Sequence, residues 1–311
     1  METKLLIEIG DLEQGRYFIE KGYGSLLLNV KGVTYTKQFN CYTDELSILI
    51  GLAKKNNVEL FINLDMLYHE DDLIGLRAIL KKLVSLDFKN LVICDIGVIE
   101  LASDLGLEFN FINGNATLNT NYQTIESTSL FYQGFFLSNE ININEIVTII
   151  KETTPNTFVQ VFGKQKMFSS KRKLLSAYLD YHQITEVTIN PKSYLIIKDT
   201  TNDDNYSYVY EDQFGTHIYT RNNVNGLEYL KTLVDNKVSY LYLNNLFCQK
   251  EEYAKVVEVF YQYLNDNSYE LVNAQSDLAT ISTNLSKSFF ADETIFTIEQ
   301  ARLLEMGSKN V

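Results

Sequence analysis

Five residues have the types and placement for acid–base chemistry: Asp65, His69, Asp95, Glu140 and His217. Carboxylates and imidazoles transfer protons near neutral pH when held against a reacting group, and Asp65 with Glu140 would form a carboxylate pair if the fold joined them. A structural use competes at every position. Asp95 follows a buried apolar run and suits the N-cap of the helix after it. His69 stands beside Glu70, Asp71 and Asp72, where a partly exposed, charge-paired ring is the simpler use. His217 lies in the hairpin-like EDQFGTHIYT, where a ring can hold a turn instead of moving a proton. The three histidines, His69, His182 and His217, show no helical HxxxH or HxxEH spacing, so no metal pair is indicated. Neither GxSxG nor a GxxxxGKS/T loop occurs, which leaves no motif for a serine nucleophile or a nucleotide phosphate.

A second set is cationic: Lys164, Lys166, Lys171, Arg172 and Lys173 fall within ten residues of a chain whose net charge is −13. That overall charge repels polyanions at long range, so a phosphate-bearing partner such as RNA would have to be met at this stretch. Phe162, Phe168, Tyr178 and Tyr181 interleave with the cations. They can stack on bases or pack inward, and a charge run of this kind also serves as a plain solvated face.

These residues sit on a regular alternation. Strand-length apolar runs at LLIEIGD (5–11), GSLLLNV (24–30), VELFINLDM (58–66), NLVICDI (90–96), EFNFING (108–114), FYQGFFLSN (131–139) and TFVQVFG (157–163) are separated by segments of helical period such as EDDLIGLRAILKKLVSLDF (70–88). Such spacing predicts parallel strands joined by right-handed crossovers. A helix over 224–236, a strand over 238–247 and a helix over 250–266 supply an eighth unit. The sequence therefore predicts an α/β fold of (β/α)₈ TIM-barrel type, with an antiparallel β segment inserted before the last βα unit. Residues 1–163 hold strands one to seven, 164–223 the insertion, and 224–311 the last helix, strand and closing segment of one compact unit. In such barrels chemistry collects at the carboxyl ends of the strands, here marked by Glu8, Asn29, Asp65, Asp95, Asn115, Glu140, Asn244 and Asn245.

At 311 residues and 45% hydrophobic the chain can bury a large core. No apolar stretch reaches the roughly 18 residues of a membrane helix, and the opening METKLLIEIGDLEQG has no secretory pattern, so a cytoplasmic protein is expected. Cys41, Cys94 and Cys248 are scattered without CxxC spacing, which suggests buried thiols, not a disulfide or metal framework.

FGKQKMFSSKRKLLSAYLDY (162–181), followed by YEDQFGTHIYTRNNV (210–224), resembles the central region of the peptidase U32 family, the collagenase-like proteases. LDMLYHEDD (64–72), ICDIGVIELA (93–102), TNY (120–122), SNEI (138–141) and SFFADETIF (288–296) resemble shorter family segments in the same order. Active members of that family carry an iron–sulfur cluster on four cysteines near the central motif and hydroxylate RNA bases or the ubiquinone ring. Here Phe162 stands where the family has a histidine and Lys166 where it has its first cluster cysteine, so the resemblance implies a chain with no cofactor of its own. The branch it most resembles implies a non-cluster subunit that pairs with a larger homologue in forming 5-hydroxyuridine at the tRNA wobble position. tRNA and prephenate are the further ligands of that pair. The retained Ser170, Lys171, Arg172, Glu211, Asp212, Gly215, Thr216 and His217 then suit an interface or an RNA-facing role. Two alternatives stay open: a peptidase, as the family name implies, and an independent small-molecule enzyme or binding protein using the barrel mouth.

Overall fold

The computed structural model describes residues 2–35, 44–189, 194–198 and 206–291. Cys41, residues 199–205 and the part of the closing segment beyond residue 291 lie outside the described residues.

The first seven apolar runs form β1 (Lys4–Ile9), β2 (Ser25–Asn29), β3 (Leu60–Leu64), β4 (Asn90–Ile93), β5 (Asn110–Asn113), β6 (Gly134–Phe136) and β7 (Asn156–Gly163). Between them lie α1 (Leu12–Lys21), α2 (Leu46–Lys55), α3 (Leu73–Ser85), α4 (Gly97–Asp104), α5 (Tyr122–Thr128) and α6 (Ile143–Glu152). Local signals set the helix starts. Asp11 accepts from the Gln14 amide to begin α1, and Asn142 with Glu145 forms a reciprocal capping box for α6.

The insertion contributes β8 (Lys166–Ser170), α7 (Leu174–Tyr181), β9 (Leu195–Lys198), β10 (Tyr206–Asp212) and β11 (Gly215–Tyr219), an antiparallel sheet in the order β8-β11-β10-β9. The chain then runs through β12 (Asn223–Asn225), α8 (Leu230–Asp235), β13 (Tyr240–Leu243), α9 (Lys250–Asn265), α10 (Leu271–Ile281) and β14 (Leu285–Ser286). β13 pairs in parallel with both β1 and β7, Leu6 facing Tyr242 and Leu241 facing Val159, and so closes an eight-stranded parallel barrel.

The expected helix over 224–236 begins late. Residues 223–225 form β12, antiparallel to β7, because the Gly226 amide bonds the Val161 carbonyl and the bare glycine lets the chains touch; a Cβ there would meet Val161 at 2.9 Å.

Strand faces alternate between the helix-packed shell and the barrel interior. The lower interior is filled by rings: Phe158 stacks on Phe136 at 4.8 Å and on Tyr240 at 4.3 Å, and Phe61 meets Tyr240 edge-on at 5.4 Å. Those rings fill the barrel interior beneath the carboxyl ends of the strands, where sites of this fold lie.

Candidate functional site

Above the aromatic plug the interior turns polar. Glu8 of β1 is fully buried and accepts from Asn29 of β2 and from the phenol of Tyr242 of β13. Asn63 of β3 donates to Asn29 at 2.9 Å, and Asn244 donates to the Tyr242 hydroxyl at 3.1 Å. Burial, then the Glu8 carboxylate beside it, hold the Tyr242 phenol well above its ordinary pKa, so it stays a donor. Four strands are tied by this chain of bonds, and the carboxylate carries the charge on which it centres.

Over that floor opens a cavity lined by Asn63, Asp65, Asn139, Gln160, Lys164, Lys166, Tyr219, Tyr242 and Asn244, among others. Asp65 accepts from the Tyr35 amide at 3.0 Å. Lys166 reaches over the Tyr35 ring at 5.5 Å. Lys164 is only 6% exposed, donates to the Arg221 carbonyl and lies 4.5 Å from the Tyr208 ring centre. Burial, opposed by the nearby Cys248 and reinforced by Arg221, brings its pKa down to about 8. A lysine at that value is a usable amine near neutral pH.

The inserted sheet roofs the mouth through His217, which is fully buried between Tyr35 at 4.8 Å and Tyr210 at 4.9 Å. Its Nδ1 is 3.0 Å from the Ser169 hydroxyl and its Nε2 is 3.4 Å from Asp212. This Ser169–His217–Asp212 chain has the residue types of a hydrolytic triad, and the sequence gives no sign of it because the three are separated by 48 and 5 positions. The sealed ring and its absence from the mouth lining fit a clasp between β8, β10 and β11 and not an attacking centre, which needs a hydroxyl open to substrate.

A second clasp adjoins it. Glu211 accepts from the Leu175 and Ser176 amides at the start of α7 and from the hydroxyl of Thr216, which in turn accepts from the Leu174 amide at 2.9 Å. Burial pushes the Glu211 carboxyl up, but the bonds from Ser176, Thr216 and Leu175 outweigh it and lower its pKa. Gly215, at φ 125°, lies so close to Ser170 that a Cβ would strike the Ser170 carbonyl oxygen.

The remaining sequence candidates divide. Asp95 accepts from Gly97 at 2.9 Å and Tyr68 at 3.0 Å, the turn-holding use. His69 is exposed and its amide donates to the carboxylate of Asp72 at 2.9 Å, which also binds Lys171. Partial burial raises the Asp72 carboxyl, and Lys171 with the His69 amide lowers it further than that. Asp65 lines the mouth and Glu140 does not, so the carboxylate pair is not formed at that cavity. The cationic run separates likewise: Lys164 and Lys166 point into the mouth, Lys171 is engaged with Asp72, and Arg172 and Lys173 are exposed. Phe162 is core, whereas Phe168, Tyr178 and Tyr181 are 43%, 56% and 83% exposed. Sequence reading missed Gln160, Tyr219 and Tyr242 at the mouth; only their inward register on β7, β11 and β13 marks them.

The family model described as Peptidase family U32 matches residues 10–297. Among curated proteins, "tRNA hydroxylation protein P2" of Bacillus subtilis (strain 168) is 22% identical over 271 residues, covering 81% of this chain and 86% of that one. A solved U32 peptidase is similar at 12% identity and a TM-score of 0.46, over 78% of this chain and 92% of its own. A chitinase from a Paenibacillus species is similar at 10% identity and a TM-score of 0.43, over 86% of this chain and 33% of its own.

Proposed function

The chain belongs to peptidase family U32, and on that footing we propose that it acts in tRNA hydroxylation as a subunit without a cluster of its own, paired with a larger cluster-bearing homologue. The relative named for tRNA hydroxylation supports the process. The observation that carries the subunit reading is Lys166, which lines the mouth together with Lys164 at the position where the family resemblance has its first cluster cysteine.

A four-thiolate cluster does not fit these residues. An ammonium cannot take a cysteine's place as ligand, and burial, only partly offset by Lys164, pushes the nearby Cys248 thiol up to about 12, where it stays protonated. No step of the reaction is therefore assigned to a cluster in this chain. Its own residues offer a cationic, amide-lined mouth suited to a small anion such as prephenate, and, nearby in sequence, the exposed cations Arg172 and Lys173 with the exposed rings of Phe168, Tyr178 and Tyr181. Cations with stacking rings are the pairing that single-stranded nucleic acid uses.

The test is to delete the gene in its host, measure 5-hydroxyuridine in tRNA by mass spectrometry, and recover an affinity-tagged copy with its companions. Loss of the modified base and recovery of a larger U32 homologue are expected. Normal modification in the deletion strain would end the tRNA reading, and a tagged protein that restores the base while running alone would end the subunit reading. The mouth cavity favours a second reading, small-molecule binding independent of any partner; a thermal shift with prephenate on the isolated chain would speak for it.

A further inference from the structure

β7 ends at Gly163, whose φ of 101° is left-handed and whose position leaves no room for a Cβ, which would lie 2.5 Å from the Asn244 carbonyl oxygen. Lys164 is the first residue beyond that point, at the carboxyl end of a barrel strand, where this fold places its chemistry. It is 6% exposed and lines the mouth. Its backbone carbonyl accepts from the Gln160 side chain at 3.0 Å, and its Nζ donates to the Arg221 carbonyl and lies 4.5 Å from the centre of the Tyr208 ring. The fold therefore holds this side chain at both ends.

What Lys164 lacks is a counter-ion. Among the described residues no carboxylate pairs with it; Glu252, which borders a second cavity that Lys164 also lines, is exposed and makes no ion pair with it. The Cys248 thiol, itself pushed up to about 12, stays protonated near neutral pH, and Arg221 is a further cation. A desolvated lysine beside another cation is the environment that turns an ammonium into a nucleophilic amine. At a pKa of about 8, roughly one chain in ten carries the neutral amine at pH 7, against about one in three thousand for a lysine at 10.5. In the mouth lining Asp65 and Lys166 offset one another in charge. A ligand whose carboxylate adjoins its carbonyl would bring Lys164 the anion that the fold leaves out, and would neutralise a positive iminium where it forms.

We propose that Lys164 is a nucleophile that holds 2-oxo acids in the mouth as an imine. The Nζ lone pair attacks the ketone carbon, a C–N bond forms, and one amine proton passes to the former carbonyl oxygen to give a carbinolamine. That oxygen then leaves as water with the second amine proton, and C=N remains; nothing is oxidised or reduced. The inference rests on reading the mouth as a site for a small organic anion, and needs neither a partner chain nor the tRNA reading.

Incubating the native full chain with pyruvate and cyanoborohydride, which reduces an imine to a stable secondary amine, and mapping the modified peptides by mass spectrometry tests it; pyruvate binding is followed in parallel by ligand-observed NMR. The adduct should fall on Lys164 at least tenfold above any other lysine, and unfolding the chain in urea should abolish that selectivity. Acetone, which has the carbonyl without the carboxylate, should label Lys164 at least tenfold less. Lys164→Arg, which keeps the cation without the nucleophile, should remove the adduct; the mapping reads the native protein, so the test does not depend on how that variant folds. Pyruvate binding without an adduct, or an adduct on Lys166 instead, would overturn the imine and leave the mouth as an anion site. No binding at about 10 mM and no adduct would overturn both readings together. Equal labelling by acetone and pyruvate would overturn the assignment to 2-oxo acids.

Discussion

The phenol of Tyr242 on β13 donates to Oε2 of Glu8 on β1, binding the last strand of the barrel to the first through a buried charge. Tyr242→Phe removes that donor and also the acceptor of Asn244. A buried acceptor deprived of its partner costs about 1–3 kcal/mol, so chemical denaturation at neutral pH should show a loss of that size. Glu8→Gln, which keeps the shape without the charge, should cost less than Glu8→Ala.

Lys164 should alter the pH dependence of stability. Its pKa falls from 10.5 in an open chain to about 8 in the fold. Between those values the unfolded chain holds more protons than the native one at this site, so the contribution of Lys164 to stability rises with pH from about 8 and levels off near 10.5. Below about 8 the charged amine is carried by both states, and burying it is a constant cost. Subtracting a Lys164→Met stability curve from the native curve isolates the slope from the tyrosines that titrate nearby. A flat difference curve over that window would contradict a lowered pKa.

Gly215→Ala should damage the inserted sheet selectively. The left-handed backbone and the collision with Ser170 each add strain of about 1–3 kcal/mol. Hydrogen exchange should speed up through β10 and β11 while β1 to β6 keep their protection, because the two sheets are separate ladders.

Ser169 should be inert toward serine-directed fluorophosphonates. Its hydroxyl faces a ring closed in by Tyr35 and Tyr210, so mass spectrometry after treatment should find no adduct, and Ser169→Ala should leave tRNA 5-hydroxyuridine at its normal level. A stoichiometric adduct at Ser169 would restore the peptidase reading.

Charge reversal at Arg172 and Lys173 should separate function from folding. Arg172→Glu with Lys173→Glu alters exposed cations and spares the Lys171–Asp72 ion pair. Wobble-uridine hydroxylation in cells should fall with protein level unchanged. Normal hydroxylation would remove these cations from RNA contact.

The barrel was legible because strand-length apolar runs alternate with helical periods, a signal that tertiary packing reinforces instead of overriding. The local structural use of Asp95 was legible too, since its carboxylate bonds the amide of Gly97 only two residues on. The site was legible only in part. Asp65, Lys164 and Lys166 were singled out by type, yet the floor they stand over depends on Glu8 meeting Tyr242 across 234 positions. The Ser169–His217–Asp212 clasp likewise needs β8 laid against β11, and pairing of that kind is set by register, not by local spacing.

Because β13 alone closes the barrel, synthesis imposes a waiting period on this molecule. After Gly163 has been added, about 77 residues must follow before Tyr240 exists, which at roughly 5–20 residues per second takes about 4–15 s on a ribosome. During that interval β1 and β7 are two unpaired edges of a seven-stranded sheet, the condition in which a nascent chain is open to joining a neighbour. The inserted sheet is made within the same interval and can fold on local antiparallel contacts while the strands behind it wait. Overproduction that outruns closure should therefore yield aggregates built through β1 and β7, and slower translation across residues 164–239 should leave them exposed for longer.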